Sequence, residues 1–262
     1  MRTNSGHQHI AAVFVEARKA STIVHSYPGE IPQTMEEGYA IQDLAIALDG
    51  RRIGGWKVGR IPGEQVAKYN AKRLAGPIFV DEIVDALDGH VPVMPIFGKG
   101  FAAAEAEILL RIASVPDGEI SLDTIADHID DVRVGVEIAS SPFPGINEFG
   151  AAVTVSDFGN NKGIVLGPAL PDWRHADLLS MPVSLQINGS TVGADRMSNM
   201  LDGPFGSVVF LLKELKRRGI EAAPGTWVSA GAITGVHEVT GGQTVKACFG
   251  EELEVVVKVR AT

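Results

Sequence analysis

Cysteine is nearly missing: Cys248 is the only one in 262 residues. A lone thiol forms no intramolecular disulfide and builds no thiolate metal cluster within one chain, which fits a reducing compartment. Positive charge is also short. Lys and Arg number 23 against 32 Asp and Glu, a formal net charge of −9 with the histidines neutral. No basic block offsets this, so phosphate backbones and anionic lipid are repelled, and neither nucleic acid nor a membrane surface is expected as a partner. Small anions remain admissible where local positive charge, a metal included, receives them. No apolar run approaches the ~20 residues of a membrane span. The N-terminal stretch MRTNSGHQHIAAVFVEARKA carries Glu16 and Arg18 inside its hydrophobic pattern, unlike a signal peptide. A soluble, cytoplasmic protein is expected. The chain also lacks H-x-x-H and H-E-x-x-H spacings, G-x-S-x-G, a P-loop and a Gly-rich dinucleotide fingerprint. Those absences count against zinc proteases, serine hydrolases, kinases and dehydrogenases.

What is present is a core-forming composition, 45% hydrophobic, with 30 Gly and 14 Pro that imply many turns and short elements. The beginning reads as helical. Ile10, Val13, Phe14 and Ala17 recur at helical spacing, as do Ile41, Leu44, Ala45 and Leu48. Thr34 and Glu37 form a capping box that opens the second helix. From residue 53 the pattern turns to short β segments: 53–59, 102–113, 132–140, 163–167, 183–188, 191–195, 226–230, 244–249 and 253–260. Asn188-Gly189 marks a two-residue hairpin. Helices are expected over 122–128, with Ser121 as N-cap, and over 204–218, between Pro204 and Gly219. Strands and helices do not alternate regularly, which argues against a Rossmann sheet or a TIM barrel. The fold class is α+β: a small helical N-terminal subdomain, residues 1–52, on a mostly β catalytic domain, residues 53–262.

FAAAEAEILLRIA is the most informative segment. As a strand it turns Ala102, Ala104, Ala106, Ile108, Leu110 and Ile112 to one face, and Glu105 and Glu107, about 7 Å apart, to the other. VRVGVEIA repeats the arrangement, with Val132, Val134, Val136 and Ile138 opposite Gly135, Glu137 and Ala139. If the strands are neighbours, three carboxylates converge on a surface kept open by Gly and Ala, and they need protons or a cation to coexist. Hard oxygen ligands suit Mg²⁺ or Mn²⁺ better than Zn²⁺. Spacing leaves a second reading open, since E-x-E on a strand is usually a solvated face. Lys57, in IGGWKVG, shares its strand face with Gly55 and Gly59, a bare surface open to close ligand approach. Partly desolvated beside a cation, its pKa would fall and it could exchange protons near neutrality; a plain surface lysine is the other reading. Asp157, Asn161 and Lys162 lie in the polar loop VSDFGNNKG. SAGAITG (229–235) is small enough to offer backbone N–H groups to an anion.

In order along the chain, TMEEGYAIQ (34–42), GWKVG (55–59), AEAEILL (104–110), VEIASS (136–141), VSDFGNNKGIVLGP (155–168) and WVSAGAITG (227–235) resemble the 2-hydroxypentadienoate (2-keto-4-pentenoate) hydratase and 4-oxalocrotonate decarboxylase family of the fumarylacetoacetate hydrolase superfamily. The ordered set covers nearly the whole chain. The resemblance implies a mixed β-sandwich or roll with a helical N-terminal part, usually in homo-oligomers. It implies Glu105, Glu107 and Glu137 as ligands of Mg²⁺ or Mn²⁺, with Lys57 as acid/base. A glutamate in the third place is similar to the hydratase and decarboxylase branch. The hydrolases' His-x-x-Glu element is not evident in RIPGEQVAKYN, which follows GWKVG. There are departures: Leu74 stands where many hydratases have an acid, and Gly203 where they have a histidine.

The expected reaction is hydration of a 2-hydroxy-2,4-dienoate to a 4-hydroxy-2-oxo acid, as in aromatic catabolism, with Asp157, Asn161, Gly231 and Ala232 holding the small-acid substrate. Decarboxylation of a 2-oxo-3-enedioate is the alternative. It would require a cation for a second carboxylate, for which Arg60, Lys162 and Arg196 are candidates. A catalytically silent subunit assembled with a related active partner is a third reading, motivated by Leu74 and Gly203.

Overall fold

The computed structural model describes residues 2–86, 90–175 and 177–262. Helix α1 (Arg2–Ala20) buries Ile10, Phe14 and Ala17 at the spacing read from the sequence. Helix α2 (Met35–Asp49) opens with the expected capping box. Glu37 N–H donates to Thr34 Oγ1 at 3.2 Å, and Thr34 N–H returns to Glu37 Oε2 at 3.3 Å. Both helices pack on the β body through a cluster that joins Ile10, Phe14 and Ile41 to Phe79, Phe143 and Phe158.

The strands that follow are β1 (Ile53–Arg60), β2 (Arg73–Phe79), β3 (Ile83–Asp85), β4 (Val93–Ile96), β5 (Phe101–Ile112), β6 (Ile129–Ser141), β7 (Asn161–Ala169), β8 (Pro182–Ile187), β9 (Ser190–Arg196), β10 (Trp227–Ser229), β11 (His237–Glu238), β12 (Thr244–Phe249) and β13 (Leu253–Ala261). Short helices α3 (Gly63–Tyr69) and α4 (Ala151–Ser156) and the longer α5 (Gly203–Arg218) lie between them. The larger sheet runs β2-β1-β10-β5-β6-β7-β3, with β11 also paired to β5; the smaller runs β4-β13-β12-β8-β9.

Alternation along β5 and β6 organises the body. Their even-numbered residues, Ala104 to Ile112 and Val132 to Ile138, share one core with Val183, Leu185, Val245, Val255 and Val257 of the smaller sheet, a sheet-on-sheet sandwich. The odd-numbered residues face inward on a curl of the larger sheet. Ile78 on β2 and Ile164 on β7 share a cluster with Leu109 and Trp227. Five strand steps separate β2 from β7, about 24 Å in a flat sheet, so the sheet must roll for these side chains to meet. This is the α+β architecture, sandwich and roll together, that the sequence implies.

The β8–β9 hairpin turns at Asn188 and Gly189, with φ of 49° and 81°, the left-handed pair a two-residue turn requires. Helix α5 stops at Gly219, φ 68°. The expected helix over 122–128 does not form. A 3₁₀ turn at Ile125–His128 leads straight into β6, and Ser121 offers its backbone carbonyl to Ile125 N–H at 3.1 Å without capping a helix. Seven residues are too few for a helix without an apolar face to anchor it. Strand β2 escapes the sequence reading because Pro77 interrupts it. It is tolerated because β2 is an edge strand, where the missing N–H breaks no ladder. Among the described residues, no helix is long and apolar enough to cross a membrane.

Candidate active site

The roll gathers the charged residues. Glu105 on β5 pairs directly opposite Glu137 on β6, with Glu107 opposite Gly135. Lys57 on β1 lies beside Ser229 of β10 and Gly76 of β2. All four charged side chains are buried: Glu107 and Glu137 0% exposed, Glu105 and Lys57 4%. The solvated-face reading of E-x-E is thereby excluded, as is a surface Lys57. One carboxylate oxygen from each glutamate lies within 4.8 Å of the others.

Two of the three carboxylates are held by one oxygen and bare at the other. Glu107 Oε2 accepts from Ser229 Oγ and, at 3.0 Å, from Gly231 N–H, while its Oε1 has no hydrogen-bond partner among the described residues. Glu137 Oε1 accepts from Asn161 Nδ2 at 3.0 Å and faces Lys57 Nζ at 3.1 Å, while its Oε2 likewise has no hydrogen-bond partner among the described residues. A buried carboxylate oxygen without a donor is costly. Bare oxygens from adjacent strands, with Glu105 beside them, are the donor set a hard divalent cation takes. The residues therefore fit Mg²⁺, Mn²⁺ or Ca²⁺, with Glu105, Glu107 and Glu137 as ligands.

Electrostatics agree. Burial, aided by the Glu137 charge and opposed by Lys57, pushes Glu105 up to about 7. Burial, then Glu137 and Glu105, pushes Glu107 well above the usual carboxylate range. Burial acts to lower Lys57, but the attraction of Glu137, Glu105 and Glu107 outweighs it and holds the ammonium above the ordinary lysine value. The lowered Lys57 pKa expected from desolvation is thus reversed by the carboxylates. A cation on the same three groups would cancel most of their attraction and leave burial to act.

A cavity of about 580 Å³ opens over this floor. Lys57, Glu105, Gly231 and Ala232 line it, as do Arg60, Arg73 and Leu74. Two of the four expected substrate contacts lie elsewhere. Asp157 is 1% exposed and bound to Arg18 and Ser141, and Asn161 supports Glu137; neither lines the cavity. The amide of Gly231 does meet an anion, but the anion is Glu107. Gly135 leaves no open surface either: a Cβ there would sit 2.2 Å from Leu109 Cδ1. Of the candidate cations, Lys162 pairs with Glu82 at 2.7 Å and Arg196 binds the Ser180 carbonyl. Arg60 alone of the three lines the cavity.

Sequence reading missed Asn160, whose Oδ1 is 3.4 Å from Lys57 Nζ, and also Ser229, Arg73 and Gly76. Gly76 had a usable signal, a glycine inside a strand-like run. A Cβ there would lie 2.0 Å from the Phe158 carbonyl oxygen, so only glycine lets the 157–161 turn rest on β2.

The fold and part of the sequence have known counterparts. 4-Oxalocrotonate decarboxylase of Pseudomonas putida is 24% identical over 243 residues, covering 91% of this chain and 89% of that protein. The chain is thus similar along most of its length to a member of the family that its ordered motifs resemble. The fold is shared with the solved 4-oxalocrotonate decarboxylase from Pseudomonas putida G7, in a complex with magnesium and adipate, which superposes with a TM-score of 0.81 at 20% identity over 97% of both chains. A second structure of that enzyme, with calcium and acetate, gives 0.80. Fumarylpyruvate hydrolase from Pseudomonas aeruginosa, in complex with Mn²⁺ and pyruvate, gives 0.60 at 18% identity over 81% of this chain and 91% of that one. No protein-family model matches the chain.

Proposed function

We propose that the chain is a divalent-metal-dependent lyase that decarboxylates a 2-oxo-3-enedioate of the 4-oxalocrotonate type. The observation that carries this reading is the polarity of the cavity along β1. A buried anionic floor with Lys57 lies at one end, and Arg60, which has no acidic partner among the described residues, lies three residues on, about 10 Å at the strand rise. With a divalent ion on that floor both ends would attract carboxylates, and a linear dicarboxylate is the ligand shape that matches them. The relatives support it: one is named 4-oxalocrotonate decarboxylase, and a solved structure of that name is complexed with magnesium and adipate, a linear diacid.

The divalent ion, when bound, supplies Lewis acidity toward a 2-oxo acid's carboxylate and oxo oxygens. Ser229, Gly231 and Asn161 fix the glutamates so that their bare oxygens converge without rearrangement. Arg60 selects the far carboxylate by a charge-assisted contact at the exposed end of β1. Val58, Leu74, Ala230 and Ile233 give the cavity an apolar wall that would keep water from the conjugated chain. When the bond to the far carboxylate breaks, CO₂ leaves and the electron pair moves through the double bond to the 2-oxo oxygen. Lys57 supplies the proton there, leaving a 2-hydroxy-2,4-dienoate.

Hydration of such a dienoate uses the same floor and is the second reading. Leu74, an apolar side chain lining the cavity where many hydratases have an acid, disfavours it. A retained Lys57 with all three glutamates disfavours a silent subunit. Assembly into a homo-oligomer belongs to the same reading and is tested by light scattering. For the reaction, purified protein is given Mg²⁺ or Mn²⁺ with a 2-oxo-3-enedioate and, separately, with a 2-hydroxy-2,4-dienoate, while CO₂ release and ¹⁸O uptake from water are followed together. Metal-stimulated CO₂ release is expected. Label uptake without CO₂ would move the assignment to hydration, and metal-independent or absent turnover of both substrate types would sink it.

A further inference from the structure

Arg18 lies on α1, far in sequence from the site, yet its guanidinium is buried in the turn that supports it. Its Nε and Nη2 clamp Asp157, the latter at 2.9 Å. Nη2 also reaches the carbonyls of Asp157 and Ser140, each at 3.2 Å, and Nη1 reaches the carbonyl of Asn161 at 2.9 Å. Ser141 Oγ completes the Asp157 carboxylate at 2.6 Å. The guanidinium stacks over the ring of Phe158, 5.2 Å from its centroid. One planar cation thus grips both ends of a turn, Asp157 and Asn161.

The turn between those grips is strained. Phe158, Gly159 and Asn160 all have left-handed backbone, with φ of 54°, 63° and 57°. Two of the three carry side chains, so this conformation persists only where the surroundings enforce it. From its far end Asn160 Oδ1 faces Lys57 Nζ, and Asn161 Nδ2 holds the Glu137 oxygen that Lys57 also meets. The turn therefore sets the position of both the proposed acid/base and one proposed metal ligand.

We propose that Arg18 is a positioning residue for the metal centre: by holding the 157–161 turn in its left-handed conformation it fixes Asn161 against Glu137 and Asn160 against Lys57. The inference rests on the reading of Glu105, Glu107 and Glu137 as metal ligands. A merely structural Arg18 would tie α1 to the body and affect melting temperature alone.

The test uses Arg18→Lys, which keeps the charge but loses the planar fork, with Asn161→Ala, the double variant, and Glu137→Gln as control. Mn²⁺ affinity is read by calorimetry well below the melting temperature. Arg18→Lys is expected to weaken Mn²⁺ binding about tenfold, and the double variant to be no weaker than Asn161→Ala alone, because the two act through one contact. Unchanged affinity in Arg18→Lys, or additive losses, would overturn the proposal. Hydrogen exchange on the metal-free protein gives an independent arm. Residues 157–163 should exchange faster in Arg18→Lys while β5 and β6 stay protected, and an unaltered turn would overturn the clamp. If the wild type and Glu137→Gln both fail to bind Mn²⁺, the metal reading falls, whereas wild-type binding with an indifferent Arg18→Lys defeats this inference alone.

Discussion

The two ends of the cavity differ in how much protein stands behind each charged side chain. At the inner end Glu107 is held by a serine hydroxyl and a backbone amide, and Glu137 by an asparagine that is itself seated on a clamped turn. At the outer end Arg60 stands exposed on the last residue of β1 with no acidic partner among the described residues. Neighbouring Arg73 is tied to the start of α5 through Asp202, at 3.3 Å, and the Leu201 carbonyl. Rigid support at one end and a loosely held charge at the other separate two tasks. On the proposed function, the inner end would serve any reaction on a 2-oxo acid, while the outer end would choose among substrates.

Breaking the inner end should have the largest effect. Lys57→Met is expected to lower kcat by about 10²- to 10⁴-fold while leaving Mn²⁺ binding in place, as measured by turnover and calorimetry on the same preparation. Loss of metal binding instead would make Lys57 a structural counter-ion of Glu137. Next in size, Glu107→Gln should weaken Mn²⁺ by more than about 100-fold, beyond the loss typical of a supporting residue; an unchanged titration would remove Glu107 from the ligand set. At the outer end, Arg60→Met should raise KM for an enedioate about 10- to 100-fold, the worth of one charged hydrogen bond, with little change for a substrate lacking the second carboxylate. An equal change for both would deny Arg60 its selective role.

The smallest effects are in pH. Glu105, at about 7, must lose its proton to bind a cation, so Mn²⁺ affinity should fall as pH drops through 7. In the metal-free protein the sign is opposite. A carboxyl whose folded value lies above its ordinary value of 4.5 contributes stability at low pH that is lost as pH rises from about 4.5 through 7. Denaturant titrations of wild type against Glu105→Gln should show that difference shrinking over this window and reversing sign in slope with Mn²⁺ present.

Much of the inner end was legible in sequence because strand alternation is local. The apolar and acidic faces of β5 and β6 follow from period-two spacing, and both strands lie within two or three residues of their expected bounds. Convergence of the glutamates was not local: it depends on the register that sets Glu105 against Glu137 and on the roll that brings in Lys57. The ordered motifs supplied that step. Asp157 misled for a similar reason. Its partner, Arg18, is 139 residues away, and no spacing rule reaches so far, so a buried ion pair read as a substrate contact. The outer end was least legible, since Arg73 sits on a strand hidden by its proline.

The bare oxygens of Glu107 and Glu137 also bear on which ions the protein can accept. Once all three carboxylates are ionised, the single ammonium of Lys57 leaves two negative charges in a buried pocket, so a divalent ion would bring the site to neutrality. A monovalent ion such as sodium would leave a charge stranded away from water, and a trivalent lanthanide would create one of the opposite sign. Discrimination by valence is therefore built into the residue count itself. Choice among magnesium, manganese and calcium is left to ionic radius and to the room the three strands allow.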